Sequence, residues 1–254
     1  MITVVERLRA SGSVFAEDEA ALIAESARDE AELAAMVDQR VAGLPLEYVV
    51  GWASLCGLRI AVDNGVFIPR RRTEFLVSEA LRVTTAGAVV VDLACGTGAL
   101  GAAVAAQREV TLYAADIEPA AVECARRNLV PWGGTVYQGD LFAALPERLR
   151  GQVDVLLSNV PYVPTDEIRL LPAEARLYEP HVTLDGGSDG LAVFRRVAVS
   201  AAEWLAPGGH FFVEVSERQA PVARNVMVEN GLVAEIVEDD DLGATVVRGT
   251  YTRR

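Results

Sequence analysis

The chain has 254 residues, 51% of them hydrophobic and 23% charged, with a formal net charge of −13. That size and apolar content allow one large domain, or a domain with a small appendage, and exclude global disorder. An acidic surplus of this size opposes general affinity for a polyanion, so direct nucleic-acid binding is disfavoured and a neutral or basic partner suits the chain better. All 23 basic residues are Arg, and only Arg70-Arg71-Arg72 cluster. Cysteines 56, 95 and 124 show no Cys-x-x-Cys spacing, and the two histidines, His181 and His210, lie far apart. Neither a disulfide framework nor a metal site is expected. The first residues, Met1 to Arg7, lack a signal-peptide pattern, and the longest uncharged stretch, 93–107, is Gly-interrupted and too short to cross a bilayer. A soluble, cytoplasmic protein without membrane contact is the expectation.

Residues 1–44 read as amphipathic helices. Asp18-Glu19 opens one run, and Asp29 caps a second that reaches Val41 and stops at Gly43 and Pro45. Short β-like runs follow at 48–53 and 58–62. Asp63-Asn64-Gly65 then precedes Val66-Phe67-Ile68, and Asn-Gly between apolar runs predicts a hairpin turn. A helix over 73–83 leads into a fully apolar strand at 88–93. Strands at 110–115, 134–137, 153–158 and 210–215 then alternate with helices at 119–129, 189–205 and 218–229. In the helix over 189–205, Leu191, Phe194, Val197, Ala201, Trp204 and Leu205 share one stripe. A final strand pair is expected at 232–237 and 245–252. Continuous apolar strands alternating with amphipathic helices specify an α/β fold with a doubly wound, mostly parallel sheet covered on both faces.

The chemistry-bearing residues sit at the expected strand ends. Asp92-Leu93-Ala94-Cys95-Gly96-Thr97-Gly98 follows the first core strand and opens a helix, and its glycines permit a tight turn with close ligand approach. Asp116 stands at the tip of the next strand, placed to accept both hydroxyls of a ribose. Gly96 to Gly101 formally matches the dinucleotide pattern Gly-x-Gly-x-x-Gly. A carboxylate at Asp92, however, would face a pyrophosphate badly and suits a ligand that carries an ammonium group, as S-adenosylmethionine does. Asp140, followed by Leu141, closes the third strand, where an adenine amino group could donate to it. Three acids at three successive strand ends favour a cationic, phosphate-free nucleoside; each acid alone reads as a solvated loop residue or a helix cap.

These motifs, with Ser158-Asn159-Val160-Pro161-Tyr162, resemble class I S-adenosylmethionine-dependent methyltransferases. The nearer resemblance is to the HemK-like protein N5-glutamine methyltransferases, which methylate peptide chain release factors. It extends to Gly43 through Gly51, to Phe67-Ile68-Pro69-Arg70 with Thr73-Glu74, to Tyr178-Glu179-Pro180, and to Glu214 through Gln219, and covers roughly residues 40–250. Val160 stands where the family motif has the first Pro of Asn-Pro-Pro-Tyr. Arg71-Arg72 replace a Pro-acid pair, and the N-terminal helical part is short. The resemblance implies a Rossmann-like methyltransferase domain over 73–254, a β-hairpin connector over 48–72 and a helical domain over 1–47. It implies S-adenosyl-L-methionine as cofactor, held by Asp92, Ala94, Cys95, Gly96, Thr97, Gly98, Asp116, Asp140, Leu141 and Asn159. The implied partner is a protein substrate that presents a glutamine in an exposed loop, most simply a release factor.

A glutamine amide is a poor nucleophile because its nitrogen lone pair is delocalised into the carbonyl. Two acceptors aimed at its NH2 would orient the nitrogen. Asn159 can offer its side-chain oxygen and Val160 its backbone carbonyl, with Pro161 holding residue 160 extended and Tyr162 packing beside the planar amide. The side chain at 160 is then expected to vary freely. The same geometry would serve an exocyclic amine of a base in RNA or DNA, and that is the alternative reading. A non-catalytic binding module is a third, opposed by the intact Asp92, Asp116, Asn159 and Tyr162.

Overall fold

A computed structural model describes residues 3–252. The outer limits of the expected domains, residues 1–2 and 253–254, lie outside the described residues. Helices α1 (Val4–Ala10), α2 (Ala16–Ser26) and α3 (Glu30–Val41) open the chain. Thr3 and Glu6 form a reciprocal capping box on α1, and the Asp29 side chain accepts from Glu32 N–H to start α3. These helices bury Leu8, Ala16, Ile23, Met36 and Val37 against one another in a small apolar cluster of their own.

The next segment departs from the sequence expectation. Residues Leu46–Val50 form a short helix, α4, because Pro45 at its N-cap leaves its carbonyl to accept from Tyr48 and Val49 N–H. Strands β1 (Trp52–Leu55) and β2 (Leu58–Ala61) form the hairpin instead, turning at Cys56-Gly57. Both turn residues have positive φ, 50° and 77°, which suits a two-residue primed turn and its twist. Asn64-Gly65 does make a turn, with Val66 N–H donating to Asp63 O, but no ladder follows. The Tyr48 hydroxyl donates to the Val66 carbonyl at 2.8 Å, and that acceptor is lost to strand pairing. Residues 66–70 therefore run as an extended connector toward the main sheet.

Helix α5 (Glu74–Leu81) leads to β3 (Val89–Leu93), α6 (Ala99–Ala105), β4 (Thr111–Asp116), α7 (Pro119–Leu129), β5 (Thr135–Gln138) and β6 (Val153–Ser158). Helices α8 (Ala173–Tyr178) and α9 (Ala192–Trp204), strand β7 (Leu205–Val215), helix α10 (Ala220–Glu229) and the strands β8 (Leu232–Asp239) and β9 (Ala244–Tyr251) complete the chain. The seven-stranded sheet runs β5-β4-β3-β6-β7-β9-β8, parallel from β5 through β7 and antiparallel at β9. Its two faces are separately covered. Val91 and Leu93 pack with the α9 stripe, whereas Val90 joins Phe75, Ala102 and Leu112 under α5 and α6. Every residue of the expected α9 stripe is buried. Strand order reverses between β3 and β6, and the crevice outside the carboxyl ends of these strands is where open α/β sheets bind ligands.

Candidate active site

One cavity opens at that reversal. Asp92, Ala94, Cys95, Gly96, Thr97, Asp116, Asp140, Leu141, Asn159 and Pro161 all line it, so the sheet edge gathers nearly every residue expected to touch the cofactor. Gly98 lies outside the lining. A Cβ there would stand 3.1 Å from Leu129 and 3.2 Å from Ala125, and with φ at 75° the glycine lets the loop press against α7. Ala94 and Leu141 hold left-handed φ, 57° and 49°, without being glycine. Strained backbone at two points of one cavity wall is the kind of cost that binding sites carry.

The acids differ in environment. Asp92 is fully buried; its Oδ2 accepts from Gly101 N–H at 2.9 Å, and its Oδ1 has no partner among the described residues. Burial raises its pKa to about 7, opposed by the Gly101 hydrogen bond and helped by the nearby Asp116. Asp116 accepts from Gly96 N–H at 2.8 Å on Oδ2 and from Glu118 N–H at 2.9 Å on Oδ1. Each oxygen keeps a lone pair for a further donor, and burial pushes this carboxyl above its ordinary value. Asp140 is more open, and its Oδ2 accepts from Arg196 at 2.6 Å. Arg196 carried no sequence signal, since only the tertiary fold brings α9 against the loop after β5.

A second cavity abuts the first and shares Phe67, Asn159, Pro161 and Thr183 with it. Val160 and Tyr162 line this second space. Asn159 thus stands at the junction. Its Nδ2 lies 3.5 Å from Thr73 Oγ1, and no donor among the described residues reaches its Oδ1. The Val160 carbonyl likewise accepts nothing from the described residues, as the backbone beyond β6 leaves the ladder. The Val160 side chain is a correction to the expectation: it is 2% exposed and packs in the core, so its size matters. Ser158 Oγ donates to Leu93 O at 2.9 Å and ties the end of β6 to β3.

Among the wall residues absent from the expected set are Phe67 and Pro69 of the connector, Thr73 just after it, and Val193 and Arg196 of α9. The run Phe67-Ile68-Pro69-Arg70 is visible as a motif, but the place of Phe67 and Pro69 in the cavity wall is not. Two members of the arginine triplet pair with buried carboxylates of this chain. Arg70 pairs with the buried Glu179, and Arg72 Nε donates to Glu214 Oε1 at 2.9 Å. Burial raises the Glu179 carboxyl, with Arg70 pulling it back. Among the described residues no cluster of His, Cys, Asp and Glu could hold a metal ion, and no helix is long and apolar enough to cross a membrane.

Residues 57–177 match the Methyltransferase small domain family. A Release factor glutamine methyltransferase of Geobacter sulfurreducens is 36% identical over 224 residues, spanning 86% of this chain and 78% of the relative. One from Bradyrhizobium diazoefficiens is 32% identical over 254 residues, 96% of this chain and 85% of its own length. Among solved structures, the 16S rRNA N2 G1207 methyltransferase of T. thermophilus, in complex with AdoMet and guanosine, aligns at a TM-score of 0.55 with 21% identity over 79% of this chain and 49% of that one. Ribosomal protein L11 methylase of Lactobacillus delbrueckii subsp. bulgaricus aligns at 0.54 with 14% identity, over 72% of this chain and 81% of that one. At these identities the structures speak for the fold. With more than a third of the aligned positions identical to the Geobacter protein along most of both lengths, the chain belongs to the release factor glutamine methyltransferase family.

Proposed function

We propose that this chain transfers a methyl group from S-adenosyl-L-methionine to the side-chain amide nitrogen of a glutamine in a peptide chain release factor, acting in the cytoplasm. The observation that carries the reading is Asn159, at the junction of two cavities, with its Oδ1 and the neighbouring Val160 carbonyl both without a donor among the described residues. The names of the relatives supply the substrate class.

The residues of the first cavity fit the cofactor. The orphaned Asp92 Oδ1 would accept from its ammonium group, the spare lone pairs of Asp116 would accept from its ribose hydroxyls, and the rim at Asp140 and Leu141 would take its adenine. When bound, the cofactor supplies a methyl group on a positively charged sulfur, which is already activated for displacement. The remaining tasks fall to the chain. Asn159 Oδ1 and the Val160 carbonyl accept the two N–H bonds of the substrate amide, which turns the nitrogen toward the first cavity. Pro161 keeps residue 160 extended. Tyr162 lies along the flat amide. No strong base is required, because the methylated amide nitrogen is strongly acidic and loses its extra proton to water; alignment and preorganised acceptors supply the catalysis. The three units 1–47, 48–72 and 73–254 serve respectively to meet the protein substrate, to roof the site and to carry the chemistry.

The test is incubation with methyl-labelled cofactor and a release factor, followed by mass spectrometry of the labelled peptide. N5-methylglutamine, lost when that glutamine is changed to Asn, supports the reading. Label on a base of RNA or DNA defeats it.

A further inference from the structure

Arg72 has no part in the chemistry above, yet it touches the residue that flanks the amide. Its Nη2 donates to the Tyr162 hydroxyl, and its Nε donates to Glu214 Oε1 at 2.9 Å. The Tyr162 hydroxyl in turn donates to the same Glu214 Oε1 at 3.0 Å. Glu214 is 2% exposed and its Oε2 has no partner among the described residues, so among them Arg72 and the phenol compensate this buried carboxylate. The guanidinium also stands over the Tyr162 ring, 5.9 Å from its centroid.

The other end of Tyr162 is held as well. Its carbonyl accepts from Gln219 Nε2 at 2.8 Å, and Gln219 Oε1 accepts from Ser216 N–H at 3.0 Å. Glu214 is the penultimate residue of β7, and Ser216 and Gln219 belong to the turn that follows it. On the opposite side, Arg72 and Thr73 are consecutive residues of one tight helical turn, Arg71–Thr73. Thr73 accepts from Asn159 while Arg72 reaches Tyr162, so this turn grips both ends of the Asn159–Tyr162 segment.

We infer that Arg72 is a positioning residue, which together with Glu214 fixes the Tyr162 ring along the substrate amide. The inference rests on the reading proposed above for that pocket. An ordinary structural ion pair would also join Arg72 to Glu214, but it would not need the phenol as a shared third member. The two cases differ in what removal of Arg72 does. A structural pair, once lost, lowers stability and leaves the folded enzyme as fast as before. A lost positioning contact frees the ring in a protein that still folds, and a reacting group misplaced by about 1 Å can cost on the order of 10²-fold in rate.

The experiment is a double-mutant cycle of Arg72→Met and Tyr162→Phe, read as single-turnover methyl transfer at saturating cofactor and substrate, with cofactor Kd and thermal midpoint measured on each protein. Each single change is expected to slow transfer by about tenfold or more while cofactor Kd stays within about threefold. The double variant should be no more than about twofold slower than the slower single, because both changes break the same contact. Arg72→Lys should recover part of the rate, as an ammonium can serve one of the two acceptors. Parental speed in Arg72→Met, or losses that multiply in the double variant, would overturn the inference. If Arg72→Met does not fold, the same cycle is read from Arg72→Gln, whose shorter neutral side chain cannot span both acceptors, and decides in the same way. The substrate used is whichever the parent protein methylates. Label on a base instead of a glutamine therefore defeats the proposed function, while the cycle still decides whether Arg72 positions Tyr162.

Discussion

Asp92→Asn tests the cofactor cavity through its most buried charge. Burial lifts this carboxyl from 3.8 to about 7. A change of that size corresponds to roughly 4 kcal/mol held against the folded protein when Asp92 is ionised. Between the two values the folded chain keeps a proton that the unfolded chain has released. Stability in the absence of cofactor should therefore fall as pH rises from about 4 to about 7, and level off above. Asn keeps an acceptor for the Gly101 N–H but places an NH2 where Oδ1 now has no partner among the described residues, which costs about 1–3 kcal/mol. At pH 8 the variant should then be about 1–3 kcal/mol more stable than the parent, and at pH 5 no more stable. With cofactor the order reverses. A ligand ammonium selects the ionised carboxylate, so parental affinity should drop by up to about tenfold per pH unit below 7, and the Asn variant should bind weakly with that slope removed. Asp116 is also raised by burial and adds its own slope to both proteins, so the difference between them isolates Asp92. Denaturant unfolding from pH 5 to 8.5 and calorimetric titration with S-adenosylmethionine read the two effects. An Asn variant with the parental pH slope in both would refute the assignment of Asp92 as the buried ammonium acceptor.

Three other changes probe the rest of the site. Asp116→Ala removes two charge-assisted bonds worth about 1.5–3 kcal/mol each and strands the N–H groups of Gly96 and Glu118, so calorimetry should show at least about tenfold weaker cofactor binding; an unchanged Kd would remove Asp116 from the ribose. Asn159→Ala should slow single-turnover transfer by about 10²–10³ with cofactor Kd nearly intact, and a defect confined to Kd would contradict its place on the substrate amide. In Gly190→Ala the new Cβ would stand 2.2 Å from Tyr162 O and 2.3 Å from Gln219 Nε2 at a φ of 77°. It should destabilise by about 2–4 kcal/mol in denaturant unfolding, and a loss below about 1 kcal/mol would show that the turn holding Tyr162 yields easily.

How much of this was readable without coordinates depended on the range of the interaction. The helices and strands of the main sheet follow apolar periodicity, a local property, and they form within a few residues of the expected limits. Strand β7 is longer, starting at Leu205, because α9 runs directly into it without a loop. Asp92, Asp116 and Asn159 were legible because strand ends of one parallel sheet share an edge, so residues distant in sequence must meet there. The expected hairpin turn lies at Asn64-Gly65 because that pair carries the stronger local signal, whereas the paired strands turn at the locally weaker Cys56-Gly57. Tyr48, reaching across to the Val66 carbonyl, settles which of them joins paired strands.

By itself the sequence determined the alternation of strands and helices, the glycine turn after β3, the acids at three strand tips and the rigid turn after β6, all through backbone preferences and spacing. Only the tertiary structure decided that Phe67, Pro69 and Thr73 form a wall of the first cavity, that Arg196 faces Asp140, that Val160 belongs to the core and that Arg72 joins Tyr162 and Glu214. Those contacts link positions 56 to 142 residues apart, such as Arg72 and Glu214. The physical reason is that a charged side chain carries no local mark of its partner. Burial of Glu214 and Asp92 in the folded core is what makes their pairing, or the lack of it, consequential.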